Sequence, residues 1–340
     1  MKELDYLPKF RVYISDVCQL NCLFCGGNNG HMESFECEGR QMLSDSKIMN
    51  IIKAYIRCGG RDIQFTGGEP LLNPMIVDHC KMICSMGARA EINSNGIALT
   101  ESMAKSLADA GVNEIKISLP GFTRKSYLHI TGRDYFDIVT NNIKKASKYI
   151  KVRVNTVATK TLLKELDEIF KYCVNNDIHS LALLELCYFP DLMTLDYFRS
   201  EYVNIPNQYG TKIEQILGVK REDISFRSDF RTPISVWKNP DTGFSIACKR
   251  NDIASRCDFC NKCEHFCQEG MYQLRLSAGG YLNFCNFVTP LGQDLAPYVD
   301  SPEKLDDAFY KASKIWKEVY KTEKNDFFAK LGMNIQMEQV

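Results

Sequence analysis

The chain has 340 residues with Lys+Arg and Asp+Glu both at 42, so its formal net charge is zero and gives no basis for a nucleic-acid or membrane surface. That length holds one large domain, or a large and a small one, with ample material for a buried core. The start, Met1-Lys2-Glu3-Leu4-Asp5 and then Pro8, does not read as a signal peptide, and no run approaches a membrane span, so the expected compartment is the cytoplasm.

Short β-rich runs alternate with helical patterns from residue 10 to about 185. Expected strands cover 10–15, 62–66, 88–93, 114–118, 152–157 and 181–186. Amphipathic helices are expected over 45–58, 74–86, 101–110, 135–149 and 162–175, with Gly59, Gly87 and Gly111 at their ends. Six βα units in succession imply an α/β fold with parallel strands, either a doubly wound sheet or a partial TIM-type barrel. Each polar signature falls at the C-terminal end of a strand, and a barrel gathers those ends at one mouth, so the partial (β/α)6 barrel is expected. Residues 1–190 form that unit. Residues 191–247, broken by Pro206, Pro233 and Pro240, read as a lateral extension or linker. A cysteine-rich unit follows at 248–290, and 291–340 forms a C-terminal helical segment with a closing helix from Pro302 to about Leu331.

Fifteen cysteines without an export signal point to a reducing compartment, with metal ligands in two groups and scattered core thiols. Cys58, Cys80, Cys84, Cys173 and Cys187 lie among apolar neighbours, where a thiol acts as a small hydrophobe; Cys37 and Cys248 fit neither description. Cys18, Cys22 and Cys25 are spaced Cys-x3-Cys-x2-Cys just after the first expected strand. Three thiolates this close can hold three irons of a four-iron cluster and leave the fourth open to a small molecule. A zinc knuckle is the competing reading, but it prefers a fourth Cys or His nearby, and His31 is the one residue of that kind at hand.

Thr66-Gly67-Gly68-Glu69-Pro70 follows the second expected strand. Its glycines let the backbone approach a ligand closely, and the Glu69 carboxylate can accept from an ammonium group. Asn93-Ser94-Asn95-Gly96 and Ile117-Ser118-Leu119 close the next two strands with small hydrogen-bonding side chains.

The cysteine spacing, with Phe24 before the third cysteine and Gly-Gly-Glu-Pro one strand later, resembles the signature of the radical S-adenosylmethionine enzymes. Arg11 to Cys18, Ile130 to Asp137, Val152 to Val157, Leu184 to Cys187 and Leu274 to Cys285 narrow the likeness to the GTP 3′,8-cyclase family of molybdenum-cofactor biosynthesis. It covers residues 10 to about 187 and returns at 267–287. The resemblance implies a partial (β/α)6 barrel followed by a small β-hairpin (twitch) domain carrying a second, auxiliary 4Fe-4S cluster. Cys267, Gly280 and Cys285 stand as the twitch spacing Cys-x12-Gly-x4-Cys. The expected auxiliary ligands are Cys260, Cys263, Cys267 and Cys285, with Cys257 nearly equivalent to Cys263 and structural zinc as the alternative.

Carried over position by position, the resemblance implies that Arg11, Arg153 and Arg275 contact an anionic substrate. Phe24, Gly67, Gly68, Glu69, Asn95, Ser118 and Cys187 would contact S-adenosylmethionine, and Ser94 would face the substrate. The family's arginine before Thr-Gly-Gly-Glu-Pro is Gln64 here, one arginine beside the second cluster is Gln273, and the Gly-Gly tail is absent. Those departures remove positive charge facing a triphosphate, so the expected substrate is an anionic small molecule other than GTP, a nucleotide or phosphorylated sugar. The expected reaction is reductive cleavage of S-adenosylmethionine by the Cys18/Cys22/Cys25 cluster to a 5′-deoxyadenosyl radical that abstracts hydrogen. The expected electron donor is a flavodoxin or ferredoxin, and the chemistry is anaerobic. A maturase of a ribosomally made peptide is the first alternative, against which the short stretch before the first strand leaves no room for a leader-binding domain. A non-catalytic iron–sulfur or zinc protein is the second, against which Gly-Gly-Glu-Pro argues.

Overall fold

The computed structural model describes residues 7–23, 25, 42–188, 193–224, 234–250, 260, 263, 273–285 and 291–319. Six parallel strands lie side by side in chain order: β1 (Phe10–Tyr13), β2 (Asp62–Thr66), β3 (Arg89–Ser94), β4 (Glu114–Ser118), β5 (Lys151–Ala158) and β6 (Ser180–Glu185). The crossovers are α1 (Asp45–Arg57), α2 (Ile76–Ser85), α3 (Glu101–Asp109), the pair α4 (Arg124–Thr131) and α5 (Phe136–Ala146), and α6 (Leu166–Asn175). This is the expected partial TIM-type barrel. Strand alternation separates two faces. Ile63, Phe65, Ile115, Ile117, Val152 and Val154 turn outward beneath the helices and are wholly buried. Each such side chain contributes roughly 1.5–3 kcal/mol of burial. The intervening Gln64, Glu91, Lys116 and Arg153 line the concave face.

The sheet extends beyond the six strands at both edges. Next to β1 lies β10 (Leu274–Leu276), parallel to it, followed by the antiparallel β11 (Tyr281–Asn283) and β12 (Gln293–Asp294). Next to β6 lies β9 (Ser245–Lys249), parallel, then β8 (Ile234–Lys238) and β7 (Glu222–Ile224), both antiparallel to their neighbours. The segment expected to be a linker is therefore built into the sheet, after two further helices, α7 (Leu195–Glu201) and α8 (Ile205–Leu217). Pro206 had argued against order there. It occupies the first turn of α8, where the missing N–H costs nothing because that donor has no intrahelical acceptor. Helix α4 was not expected either: it is short, and Tyr127 and Thr131 are its buried residues, too few for a readable period. It forms because Thr123 and Ser126 make a reciprocal capping box at its start.

The closing helix α9 (Pro302–Val319) returns over the outer side of β1. Phe309, wholly buried, meets the rings of Phe10 and Tyr55 at centroid distances of 5.5 and 5.7 Å, and Arg57 on α1 pairs with Asp306 at 2.6 Å. Among the described residues no helix is long and apolar enough to cross a membrane. Phe309→Ala should lower the unfolding free energy by about 3–5 kcal/mol in urea titrations, as expected when a large aromatic leaves a cavity beneath β1; an unchanged midpoint would mean that α9 only rests on the barrel.

Candidate functional site

The cysteine loop leaves the C-terminal end of β1 and is pinned on both flanks. On one side Gly68 N–H donates to Ser15 O at 2.6 Å and Glu69 N–H to Val17 O at 2.8 Å. Gly67 has φ +131°, and a Cβ on Gly67 or Gly68 would lie 2.3 Å from the Ser15 or Val17 carbonyl oxygen, respectively. The two glycines are thus required first of all by close contact with the cysteine loop. On the other side Asn21 N–H donates to Thr131 O at 3.0 Å and Leu23 N–H to Ile130 O at 2.9 Å, at the end of α4.

Glu69, expected to accept from the ammonium of S-adenosylmethionine, is fully buried and turned into the protein. Its Oε1 accepts from Leu71 N–H (2.9 Å) and Ser94 Oγ (2.8 Å), and its Oε2 from Asn95 N–H at 2.6 Å. Burial pushes its pKa up, and these donors oppose the shift. The carboxylate therefore braces the turn after β3, because three donors already meet it where no solvent reaches. Ser94 is committed to the same contact and does not face the cavity. Asn95 donates through Nδ2 to Cys18 Sγ (3.5 Å) and Gln19 Oε1 (3.0 Å), so this expected cofactor contact holds the cysteine loop.

The three thiols act on one another. Burial, followed by the charges of Cys25 and Cys18, pushes the Cys22 thiol up to about 12; burial likewise raises Cys18 despite hydrogen bonds from Leu20 and Asn95. Three thiolates coexist here when a bound cation offsets their mutual repulsion. Among the described residues no three Cys, His, Asp or Glu side chains stand as a ready-made metal site. The donor set itself, three thiols on one loop with N–H groups aimed at Cys18 sulfur, fits an iron–sulfur group. Ser118 is exposed at the end of β4, and Cys187 is partly buried just beyond β6. Phe24, Cys257 and Cys267 lie outside the described residues.

A row of polar side chains crosses the concave face below the loop. Register places Arg275, Arg11, Gln64 and Glu91 on neighbouring strands, and Lys116 beside Arg153. Arg11 Nε donates to Gln64 Oε1 at 3.0 Å, and Gln64 Nε2 donates to Glu91 Oε2 at 3.1 Å. The same Glu91 oxygen meets Lys9 Nζ at 2.7 Å and the Lys116 ammonium. Burial alone would raise the Glu91 carboxyl, yet the two lysines hold it at about 2; burial, with the Lys9 charge, brings Lys116 down to about 8. Arg153 Nε and Asn93 Oδ1 are buried in this face without a hydrogen-bond partner. Lys9 and Lys116 were missed in the sequence. Lys116 stands inside an Ile-Lys-Ile alternation that marks it as inward-facing, and that was the available signal. They add positive charge to this face, and both are paired with Glu91.

Arg275 is 3% exposed and donates to the Phe284 and Gln273 carbonyl oxygens at 3.0 and 3.4 Å, bracing its hairpin beside Arg11. Because β11 runs antiparallel to β10, Cys285 lies toward the N-terminal end of β1, while Cys18 lies beyond its C-terminal end. The polar row sits between the two. Cys260 and Cys263 are partly exposed and joined by a Cys263 N–H to Cys260 O bond of 3.2 Å. A cavity of about 720 Å³ opens between the N-terminal ends of β5 and β6, lined by Asn113, Lys151, His179 and Phe244, away from the cysteine loop.

Comparisons with known proteins agree with this geometry. The pattern of the radical SAM superfamily matches residues 12–173. The GTP 3′,8-cyclase of Campylobacter jejuni is 28% identical over 295 residues, 84% of this chain and 81% of that protein. A probable GTP 3′,8-cyclase of Sulfurisphaera tokodaii is 30% identical over 183 residues, 53% of this chain; the match spans 56% of the relative's length. Among solved structures, SuiB of Streptococcus suis matches with TM-score 0.60 at 17% identity, over 91% of this chain and 68% of that one. A structure of anSMEcpe with bound AdoMet matches with TM-score 0.58 at 17% identity, over 94% and 86%. These two establish likeness of fold.

Two outcomes test the site's bracing. Glu69→Gln puts an amide N–H where a carboxylate oxygen now accepts, and should destabilise the fold by about 2 kcal/mol in urea titrations; an equal midpoint would mean the carboxylate is dispensable. The Glu91 carboxyl, held at about 2 in the fold against 4.5 ordinarily, contributes stability that is complete above pH 4.5 and lost as pH falls toward 2. Glu91→Gln should therefore be less stable than wild type at pH 6, with the gap closing between pH 4.5 and 2; a gap independent of pH would contradict the ion cluster.

Proposed function

We propose that this chain, whose residues 12–173 match the radical SAM superfamily, is a radical SAM enzyme whose substrate is a small anionic molecule held over the concave face. The cationic row on that face carries the proposal: Lys9 and Lys116 meet the Glu91 carboxylate, Arg11 bonds Gln64 beside it, and Arg153 neighbours Lys116 in register. Cations in a shielded cavity are costly until an anion meets them, and Arg153 Nε has no partner among the described residues.

When loaded, a 4Fe-4S cluster on Cys18, Cys22 and Cys25 supplies the electron that cleaves S-adenosylmethionine and thereby the radical for hydrogen abstraction. The protein's part is positional. The backbone at Gly67 and Gly68 and the exposed Ser118 border the mouth where S-adenosylmethionine would sit. Lys116 and Arg153, neighbours in register, would orient the anionic end of the substrate. The second cysteine group, Cys260, Cys263, Cys267 and Cys285 with Cys257 as substitute, would hold an auxiliary cluster. The curated relatives are cyclases of GTP; Gln64 and Gln273 favour a substrate with fewer phosphates, a nucleotide or phosphorylated sugar. An external flavodoxin- or ferredoxin-type donor and a cytoplasmic location complete the reading.

The test is an anaerobic screen of the reconstituted protein with GTP, other nucleotides, phosphorylated sugars and peptides, scoring 5′-deoxyadenosine. Wild type should carry about eight irons, and the triple Cys18/Cys22/Cys25→Ala variant about four with no S-adenosylmethionine cleavage. With the stimulating substrate, Arg153→Ala and Lys116→Ala should lose product while retaining slow uncoupled cleavage. Stimulation by a peptide alone would establish the maturase reading instead, and full turnover by both variants would refute the anion site.

A further inference from the structure

Glu91 on β3 uses its two carboxylate oxygens unequally. Oε2 takes every donor that reaches the group: Lys9 Nζ at 2.7 Å, Gln64 Nε2 at 3.1 Å and the Lys116 ammonium. Oε1 accepts from no group among the described residues. A carboxylate offers about four lone-pair positions over its two oxygens, so three donors crowd one oxygen here while the other stands bare. Oε1 is not one of the buried orphan atoms, and the side chain is 23% exposed, so this oxygen meets the open space over the concave face.

The surrounding cations decide which donor fits it. Lys9 and Lys116 touch Oε2, Arg11 is joined to the group through Gln64, and Arg153 stands beside Lys116. Two ammonium groups already offset the single carboxylate charge, and both would repel a third cation brought to Oε1. A neutral O–H donor meets no such repulsion, and its hydrogen bond to a charged acceptor is of the stronger kind. The two lysines hold the carboxyl at about 2, so at neutral pH it stays ionised and acts as an acceptor alone. Glu91 lies on β3, Lys116 on β4 and Arg153 on β5, three strands in sequence. At about 4.8 Å per strand, the acceptor stands roughly 5–10 Å from the pair that would orient an anion. That span suits a phosphorylated pentose or hexose.

We infer that Glu91 Oε1 receives a hydroxyl of the substrate, which makes the substrate a hydroxylated anion, a phosphorylated sugar or ribonucleotide, and lets the site reject its deoxy form. The inference rests on the anion reading of the concave face and adds the group that faces Glu91. The hydroxyl keeps its proton; Glu91 binds and selects, and transfers nothing.

The test is calorimetric, on reconstituted full-length chains. The probes are ribose 5-phosphate with its 2-deoxy and 3-deoxy forms, and GMP with its 2′-deoxy and 3′-deoxy forms. Wild type should bind the parent of one series at least about tenfold more tightly than one of its deoxy forms, the loss expected for a hydrogen bond to a charged group. In Glu91→Gln the lysines retain the amide oxygen, so the NH2 group replaces Oε1 and any contact with the hydroxyl becomes a neutral one. That variant should bind the deoxy form at least as tightly as wild type does, because a negative charge has gone, and its preference for the parent should shrink several-fold. An undiminished preference in Glu91→Gln would overturn the role of Glu91 and leave the anion site standing, as would equal wild-type affinity throughout a series that binds. Failure of all six anions to bind wild type would overturn the anion reading and this inference together. Should Glu91→Gln fail to fold, Glu91→Asp keeps the charge but withdraws the acceptor by one methylene, and the preference should narrow there as well; an unchanged preference refutes the hydroxyl contact.

Discussion

Four backbone hydrogen bonds fix the loop that carries Cys18 and Cys22, two from Gly68 and Glu69 and two to Ile130 and Thr131. The described part of the loop has no regular secondary structure, and its thiols repel one another once ionised, so internal bonds such as Cys25 N–H to Cys22 O at 3.0 Å are too few to hold three sulfurs in place. Order is imposed from outside. The Gly67–Gly68 turn can reach the Ser15 and Val17 carbonyls because neither residue has a Cβ. That turn is in turn steadied by Glu69, whose buried carboxylate ties the end of β2 to the turn after β3. One carboxylate thus links two strand ends, and the cost of burying it is offset by the three donors it satisfies.

A second constraint governs the concave face. Lys9, Arg11, Lys116 and Arg153 stand along this face, and among the described residues Glu91 meets two of them, Lys9 and Lys116. Gln64 matters here as a neutral relay. It accepts from Arg11 and donates to Glu91, so it orders both neighbours without adding a charge. An arginine at that position would crowd a third cation against Glu91 or free Lys116 from it. The depressed pKa of Lys116 and the lowered pKa of Glu91 express one balance: burial favours neutral forms, and the ion cluster keeps the charges.

The six βα units were legible because outward residues such as Phe65, Ile117 and Val154 recur with a period of two and the helices between them are amphipathic. Helix α4 and strands β7 to β9 were not. In α4 the stabilising signal is the Thr123/Ser126 cap and not an apolar stripe, and in α8 a proline sits where helices tolerate it. Both are cases where a local feature reads one way in sequence and the opposite way once its position in the element is known. At the site, the cysteine spacing and Gly-Gly-Glu-Pro picked out two segments that the structure packs together, but the role assigned to Glu69 depended on where its side chain turns, which spacing does not encode. Lys9 was overlooked because it precedes β1, outside any alternation. Its contact with Glu91, 82 positions away, is a product of the parallel register.

These features are built from two kinds of group. The clamp on the cysteine loop is built from backbone groups, two glycines and a carboxylate, and it serves any chemistry that starts from the same cofactor. The cationic row is built from side chains that can change one at a time without disturbing the strands beneath, since their outward neighbours alone form the core. The likeness to radical SAM enzymes covers the barrel, and the charged row that crosses its concave face is held in order by Glu91 and Gln64.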